Sequence, residues 1–185
     1  MTAVSIYTDA GILHGRGSWA AVVLSANRIG PVEQYGLLRG VFKSSAAVEG
    51  AAMANALHFA KRRGLVERGD VVTILSDCQA IVARIAGEVR RDAKDPDIMR
   101  AAAYVAEWSK ALGVRVHAEW VKGHQRLDSR DPHAIYNNRC DRLATAAREG
   151  RTPVPFAEFS ALVAERHRMR QRREARANPT RAAQA

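Results

Sequence analysis

The sequence predicts an α/β domain: one five-stranded mixed sheet, three antiparallel strands followed by two parallel ones, flanked by helices and followed by a basic C-terminal extension. Three observations predict it. Three β-rich runs follow one another near the N-terminus with short links, the pattern of an antiparallel meander. Val71-Val72-Thr73-Ile74-Leu75 is apolar or β-branched throughout and bounded by Gly69-Asp70 and Asp77, as expected of a parallel strand covered on both faces. Segments of helical period then alternate with strands, so the later connections are crossovers over one sheet.

Taken in order, Val4-Ser5-Ile6-Tyr7-Thr8 reads as the first strand, ending in Asp9-Ala10-Gly11, where Gly11 marks a turn. Residues 19–24 and 32–38 are the next two strands, separated by Asn27-Arg28-Ile29-Gly30-Pro31. Ser44 or Ser45 caps a helix whose Val48, Ala52, Met53, Ala56, Leu57 and Ala60 recur at helical spacing until Gly64. Beyond the buried strand, one helix is expected from Cys78 to about Arg91 and another from about Pro96 to Leu112 before Gly113. Residues 114–121 alternate as a strand, and Tyr136 to about Arg148 forms a helix closed by Gly150. Pro153-Val154-Pro155 breaks the chain, and Phe156 to Arg176 has an amphipathic pattern with Phe156, Phe159, Leu162 and Val163 apolar. A domain over residues 1–150 and an arginine-rich extension over 151–185, partly helical or disordered, are therefore expected.

The 185 residues carry 29 Lys+Arg against 19 Asp+Glu, a net charge of +10, and 47% are hydrophobic, enough for a sizeable core. Half of the excess charge lies in the last 35 residues, where eight arginines face three glutamates. That tail suits the phosphate backbone of a nucleic acid, against the simpler reading of a solvated helix end. No apolar run approaches the roughly 20 residues needed to span a bilayer, and the N-terminus lacks a basic segment before an apolar one, so no membrane association is expected. Cys78 and Cys140 make neither a disulfide framework nor a metal-binding spacing, which suits the reducing cytoplasm, and the chain is read as a monomer. The two cysteines are read as small apolar packing residues rather than a redox pair.

Four acids stand apart from the polar surface. Asp9 and Asp77 end strands, Glu49 is the only acid in the alanine-rich stretch 44–60, and Asp141 lies beside Leu143 and Ala144 on the last helix of the domain. In open α/β sheets the carboxyl ends of strands face the ligand crevice, so neighbouring strands bring Asp9 and Asp77 together. Gathered carboxylates repel unless cations neutralise them, and oxygen-only ligands suit Mg²⁺ or Mn²⁺. Two such ions on a phosphodiester activate a water and stabilise the leaving oxygen. Each acid also has a purely structural reading: Asp77 as a helix cap, Asp9 as a turn former, Glu49 and Asp141 as first-turn partners of helix dipoles.

Ile6-Tyr7-Thr8-Asp9, Trp19-Ala20-Ala21, Glu49 on its alanine-rich helix, Ser76-Asp77-Cys78-Gln79, Trp120-Val121-Lys122-Gly123-His124 and Asn138-Arg139-Cys140-Asp141-Arg142-Leu143-Ala144 together resemble type 1 ribonuclease H, in order, over about residues 3–148. The resemblance implies the ribonuclease H-like fold, hydrolysis of the RNA strand of RNA–DNA hybrids, and Asp9, Glu49, Asp77 and Asp141 as ligands of two Mg²⁺ ions. It implies that His124 assists proton transfer or product departure. Read from the residues alone, His124 after Lys122-Gly123 is an exposed loop histidine, a side chain suited to proton transfer. His14 and His133 lie in loops without an assigned role.

The chain departs from the family pattern in places. Where the family often has Thr-Asn-Asn-Arg-Met, this sequence has Ser44-Ser45-Ala46-Ala47-Val48; Ser44 and Ser45 retain hydroxyls for phosphate, but the amide contacts to the hybrid groove are missing. Gln79 matches a position that contacts the hybrid. Too little sequence separates Asp77 from His124 for the lysine-rich protrusion of some members; Arg90, Arg91 and Lys94 are the basic residues there that partly replace it. The loop from Gln125 to Ile135 is long and charged, either gating the site or solvated. A ribonuclease H-like nuclease with another substrate, such as structured DNA or double-stranded RNA, is the nearest alternative. A non-catalytic nucleic-acid-binding module gains nothing from clustered negative charge facing phosphates, and a basic structural protein leaves the four acids unexplained.

Overall fold

The computed structural model describes residues 2–88 and 95–177. Its elements are β1 (Ala3–Leu13), β2 (Arg16–Ser25), β3 (Val32–Leu37), α1 (Ser45–Arg62), β4 (Val71–Ser76), α2 (Gln79–Ile85), α3 (Pro96–Leu112), β5 (Arg115–Trp120), α4 (Ala134–Glu149) and α5 (Phe156–Ala177). The sheet order is β3-β2-β1-β4-β5, with β1–β2 and β2–β3 antiparallel and β1–β4 and β4–β5 parallel. This is the expected mixed sheet, with the apolar β4 between two parallel neighbours.

Alternation along the strands divides the interior into two layers. Val4 and Ile6 of β1, Ala21 and Val23 of β2, and Val72 and Ile74 of β4 pack with the helices α1 and α3. Tyr7, Ala20, Val22 and Leu75 point the other way, against Cys140, Leu143 and Ala144 of α4. Burying both sets removes apolar surface from water on each side of the sheet, the main favourable contribution to folding. Gly50 lets α1 and α3 approach closely, because a side chain there would overlap Ala101.

Sequence signals set most boundaries. The Ser44 hydroxyl accepts a hydrogen bond from the Ala47 N–H at 3.1 Å and caps α1. Asp95 accepts from the Asp97 N–H at 2.8 Å ahead of Pro96 in the first turn of α3. Gly113 and Gly150 end α3 and α4 in the left-handed conformation.

β2 and α4 begin earlier than expected, at Arg16 and Ala134, and two further boundaries shift with more consequence. β1 continues past Gly11 to Leu13, because Leu13 pairs with Arg16 across a two-residue loop, and His14 and Gly15 both take positive φ (50° and 75°). The turn therefore belongs to Gly15, and Gly11 is a strand residue. α2 stops at Ile85, with Gly87 at φ 82°, instead of running to Arg91; Arg90, Arg91 and Lys94 lie outside the described residues.

α5 docks on α4 through Phe159, which is fully buried, and Val163. The guanidinium groups of Arg139 and Arg142 lie 5.3 and 5.4 Å from the centre of the Phe159 ring. Arg139 is itself buried and pairs with Glu33 of β3 at 2.6 and 2.7 Å, so one side chain ties β3 and α4 to the underside of α5. No described helix is long and apolar enough to cross a membrane.

Candidate active site

The parallel register of β1 and β4 pairs Tyr7 with Leu75, and both side chains face α4. Carrying that register two residues further places Asp9 beside Asp77, on the same face. β4 has ended by then while β1 runs on against β2, so the carboxylates meet where the sheet opens. Glu49 reaches the same point from α1, and ligand atoms of Asp9, Glu49 and Asp77 all lie within 4.8 Å of one another.

The structural readings of these acids do not hold. Asp9 is in the middle of a strand, and the residue preceding α2 is Cys78, with no side-chain cap. Neither α1 nor α4 has an acid in its first turn: Glu49 is the fifth residue of α1 and Asp141 the eighth of α4. Like charges brought together away from water must have another stabiliser.

Electrostatics record that frustration. Burial pushes the Asp9 carboxyl up to about 7, assisted by the charges of Asp77 and Asp141, against the opposing Ala10 N–H and Arg148. Burial and then Asp9 and Asp77 hold Glu49 well above the usual carboxylate range, and burial raises Asp77, opposed by His124. One Glu49 oxygen, Oε2, is buried with no hydrogen-bond partner. An oxygen-only donor set with an orphaned buried carboxylate oxygen fits a hard divalent cation. Asp141 is outside the tight triad but close enough to act on Asp9 and Asp77.

Surrounding residues fix the acids in place. Gly123 abuts Asp77 so closely that a side chain there would overlap its carboxyl group, and the exposed Trp120 donates its indole N–H to the Asp77 carbonyl at 3.2 Å. His124 follows with φ 48°, exposed at the mouth of the site. Cys140 is fully buried, its thiol donating to the Tyr7 carbonyl at 3.4 Å, and Cys78 is partly buried; both are free. His133 pairs with the Tyr7 hydroxyl at 2.8 Å.

The expected substrate contacts are placed unevenly. The Ser44 hydroxyl is committed to capping α1 and to Asp97 Oδ2, to which it donates at 2.6 Å. Ser45 and Gln79, the first residues of α1 and α2, are exposed. Arg148 is a neighbour that the sequence reading missed: it lies against Gly11, where a Cβ would collide with its guanidinium. Its seven-residue separation from Asp141 places both on one face of α4, and that spacing was the available signal.

A family model for RNase H matches residues 1–149. The chain belongs to the RNase H family. Solved structures share the fold of this RNase H at low identity. A type 1 RNase H of the halophilic archaeon Halobacterium salinarum is 20% identical with a TM-score of 0.60, over 80% of this chain and 98% of that one. The N-terminal RNase H domain of a Mycobacterium tuberculosis protein, solved as a fusion with maltose binding protein, is 20% identical with a TM-score of 0.59, over 81% and 96%. The LC11 type 1 RNase H, solved in complex with an RNA/DNA hybrid, is 18% identical with a TM-score of 0.60, over 80% and 97%. Comparison with curated protein sequences finds no relative. In this RNase H, α5 lies beyond the family match.

Proposed function

We propose that this RNase H is a metal-dependent endonuclease that hydrolyses the RNA strand of RNA–DNA hybrids by a two-metal-ion mechanism, as a cytoplasmic monomer. The observation that carries the reading is the convergence of Asp9, Glu49 and Asp77 within 4.8 Å, with Glu49 Oε2 buried and unpartnered. The hybrid bound to the LC11 relative supports the substrate assignment.

Asp9, Glu49, Asp77 and Asp141 would hold the ions, Mg²⁺ by preference with Mn²⁺ as a substitute. Bound there, divalent cations supply an activated water and charge stabilisation for the leaving 3′-oxygen. The chain supplies the rest. The body of β1 holds Asp9 and the end of β4 holds Asp77, and Gly123 and Trp120 limit the freedom of Asp77. His124, exposed beside Asp77, carries a proton to or from the reacting oxygens at its imidazole. Ser45 and Gln79 contact the hybrid backbone, with Arg90 and Arg91 as further contacts, and the arginines of the C-terminal extension add sequence-independent attraction.

The test is cleavage of an end-labelled RNA–DNA hybrid beside double-stranded DNA and RNA, with Mg²⁺, Mn²⁺ or EDTA, by the wild type and Asp77→Asn. Metal-dependent cuts confined to the RNA strand of the hybrid, abolished in the folded variant, are expected. Full activity in Asp77→Asn would reject the ligand assignment, and binding without cleavage under every metal would reject the enzyme.

A further inference from the structure

The loop joining β5 to α4 carries His124, and α5 holds that loop from outside. Arg170 of α5 donates to the Asp128 carbonyl, and Arg130 of the loop pairs with Glu174 of α5 at 3.2 Å. Within the loop, the Gln125 side-chain amide donates to Asp131 at 2.5 Å and to the Lys122 carbonyl at 3.1 Å, while the Ser129 hydroxyl donates to the Gln125 side-chain oxygen Oε1 at 2.7 Å. The segment is thus a built wall rather than a loose insertion.

Between this wall and α5 runs an open groove of about 540 Å³ that His124 also lines. Lys122, Arg126, Arg170 and Arg173 line it, four cations against the single carboxylate of Asp128. Asp128 is engaged by Arg126 at 2.9 and 3.1 Å, and this pairing holds its carboxyl below the usual range. Lys122 and Arg173 are exposed and form no ion pair among the described residues, so the groove keeps a net positive charge. His124, which lines the groove, also acts on the Asp77 carboxyl group, so the groove borders the catalytic site.

We propose that the groove between α5 and the β5–α4 loop holds backbone phosphate of the cut strand beyond His124, making α5 a wall of the substrate channel rather than a general polyanion tether. The assignment rests on the hybrid-nuclease reading above. Its consequence is positional: one phosphate, at a fixed distance from the cut, matters more than its neighbours. A freely moving basic tail would favour none.

The experiment uses the full chain with Mg²⁺ and hybrids whose RNA strand is 2′-O-methylated outside a short cleavable window. A single uncharged methylphosphonate linkage is stepped outward from that window, in the RNA strand and then in the DNA strand. For the wild type, one RNA-strand position should raise KM by about 3- to 10-fold; in Arg126→Ala/Arg173→Ala the same position should have no effect, and the slope of log KM against log salt should fall by about 1–2. Both substituted side chains are exposed, and equal thermal midpoints check that the fold is kept. Equal position profiles for the two proteins, or a difference confined to the DNA strand, overturn the groove while leaving the nuclease intact. Absence of hybrid cleavage by the wild type overturns both readings.

Discussion

Gly123 lies directly against the carboxyl group of Asp77, with no room for a side chain between them. The contact joins the turn after β5 to the end of β4, and the hydrogen bond from Trp120 to the Asp77 carbonyl closes the same junction. A glycine in the sequence Trp-Val-Lys-Gly-His is therefore a spatial requirement of the carboxylate, three residues after the strand that positions it.

Gly123→Ala should displace the Asp77 carboxyl while leaving both cores untouched. Mn²⁺ affinity, measured by titration calorimetry, is expected to weaken by about 10- to 100-fold, the usual cost of disturbing the support of a metal ligand. Hybrid cleavage should fall with it, and added Mn²⁺ should restore part of the rate. Unchanged metal affinity would show that the carboxyl has space to spare.

The acidic cluster gives stability an unusual pH dependence. Asp9 has a folded-state value of about 7 against 3.8 for the free side chain, so the folded chain binds the extra proton between those values. Its contribution is fully present below about pH 4 and is lost as pH rises towards 7. In EDTA, the thermal midpoint of the wild type should therefore fall relative to Asp9→Asn across that window. Mg²⁺ at pH 8 should raise the wild-type midpoint and leave Asp9→Asn nearly unmoved, because ions that bind only the folded state stabilise it. Parallel midpoint curves for the two proteins would contradict the buried, repelling cluster.

Arg139 offers a test of how α5 is attached. Arg139→Ala removes the two-pronged pair with Glu33, the hydrogen bond to the Val154 carbonyl at 2.8 Å and the stacking over Phe159. Breaking one side of such a buried pair costs about 3–5 kcal/mol, readable as a lower urea midpoint. Arg139→Lys should recover little of it, since a point charge does not reproduce the planar fork.

Ser44→Ala separates folding from substrate contact. The hydroxyl caps α1 and donates to Asp97, so its loss should lower stability by about 1 kcal/mol in denaturant titrations. The hybrid KM should rise less for this variant than for Ser45→Ala, whose hydroxyl is exposed. The opposite order would return Ser44 to the substrate.

The sequence by itself determined the sheet. The apolar run of β4 has one stable place, between β1 and β5, with Val72 and Ile74 in the layer of α1 and α3 and Leu75 against α4, and the three β-rich runs before it pair through short links. It also singled out the four acids, because Asp9, Glu49, Asp77 and Asp141 sit in apolar company where a lone charge is costly. Local ends are less legible in it: the turn that Gly11 suggests is made by Gly15, and α2 stops at Ile85, well before Arg91. Turn residues identify a break, whereas the register with a partner strand decides which glycine makes it. Tertiary structure alone decided how tightly Asp9, Glu49 and Asp77 meet and that Asp141 stands further out, that Arg148 lies against Gly11, and that α5 latches the His124 loop. These relations join side chains from elements far apart in sequence. Periodicity along one segment carries no information about such distances; they follow from how the two layers pack across the sheet.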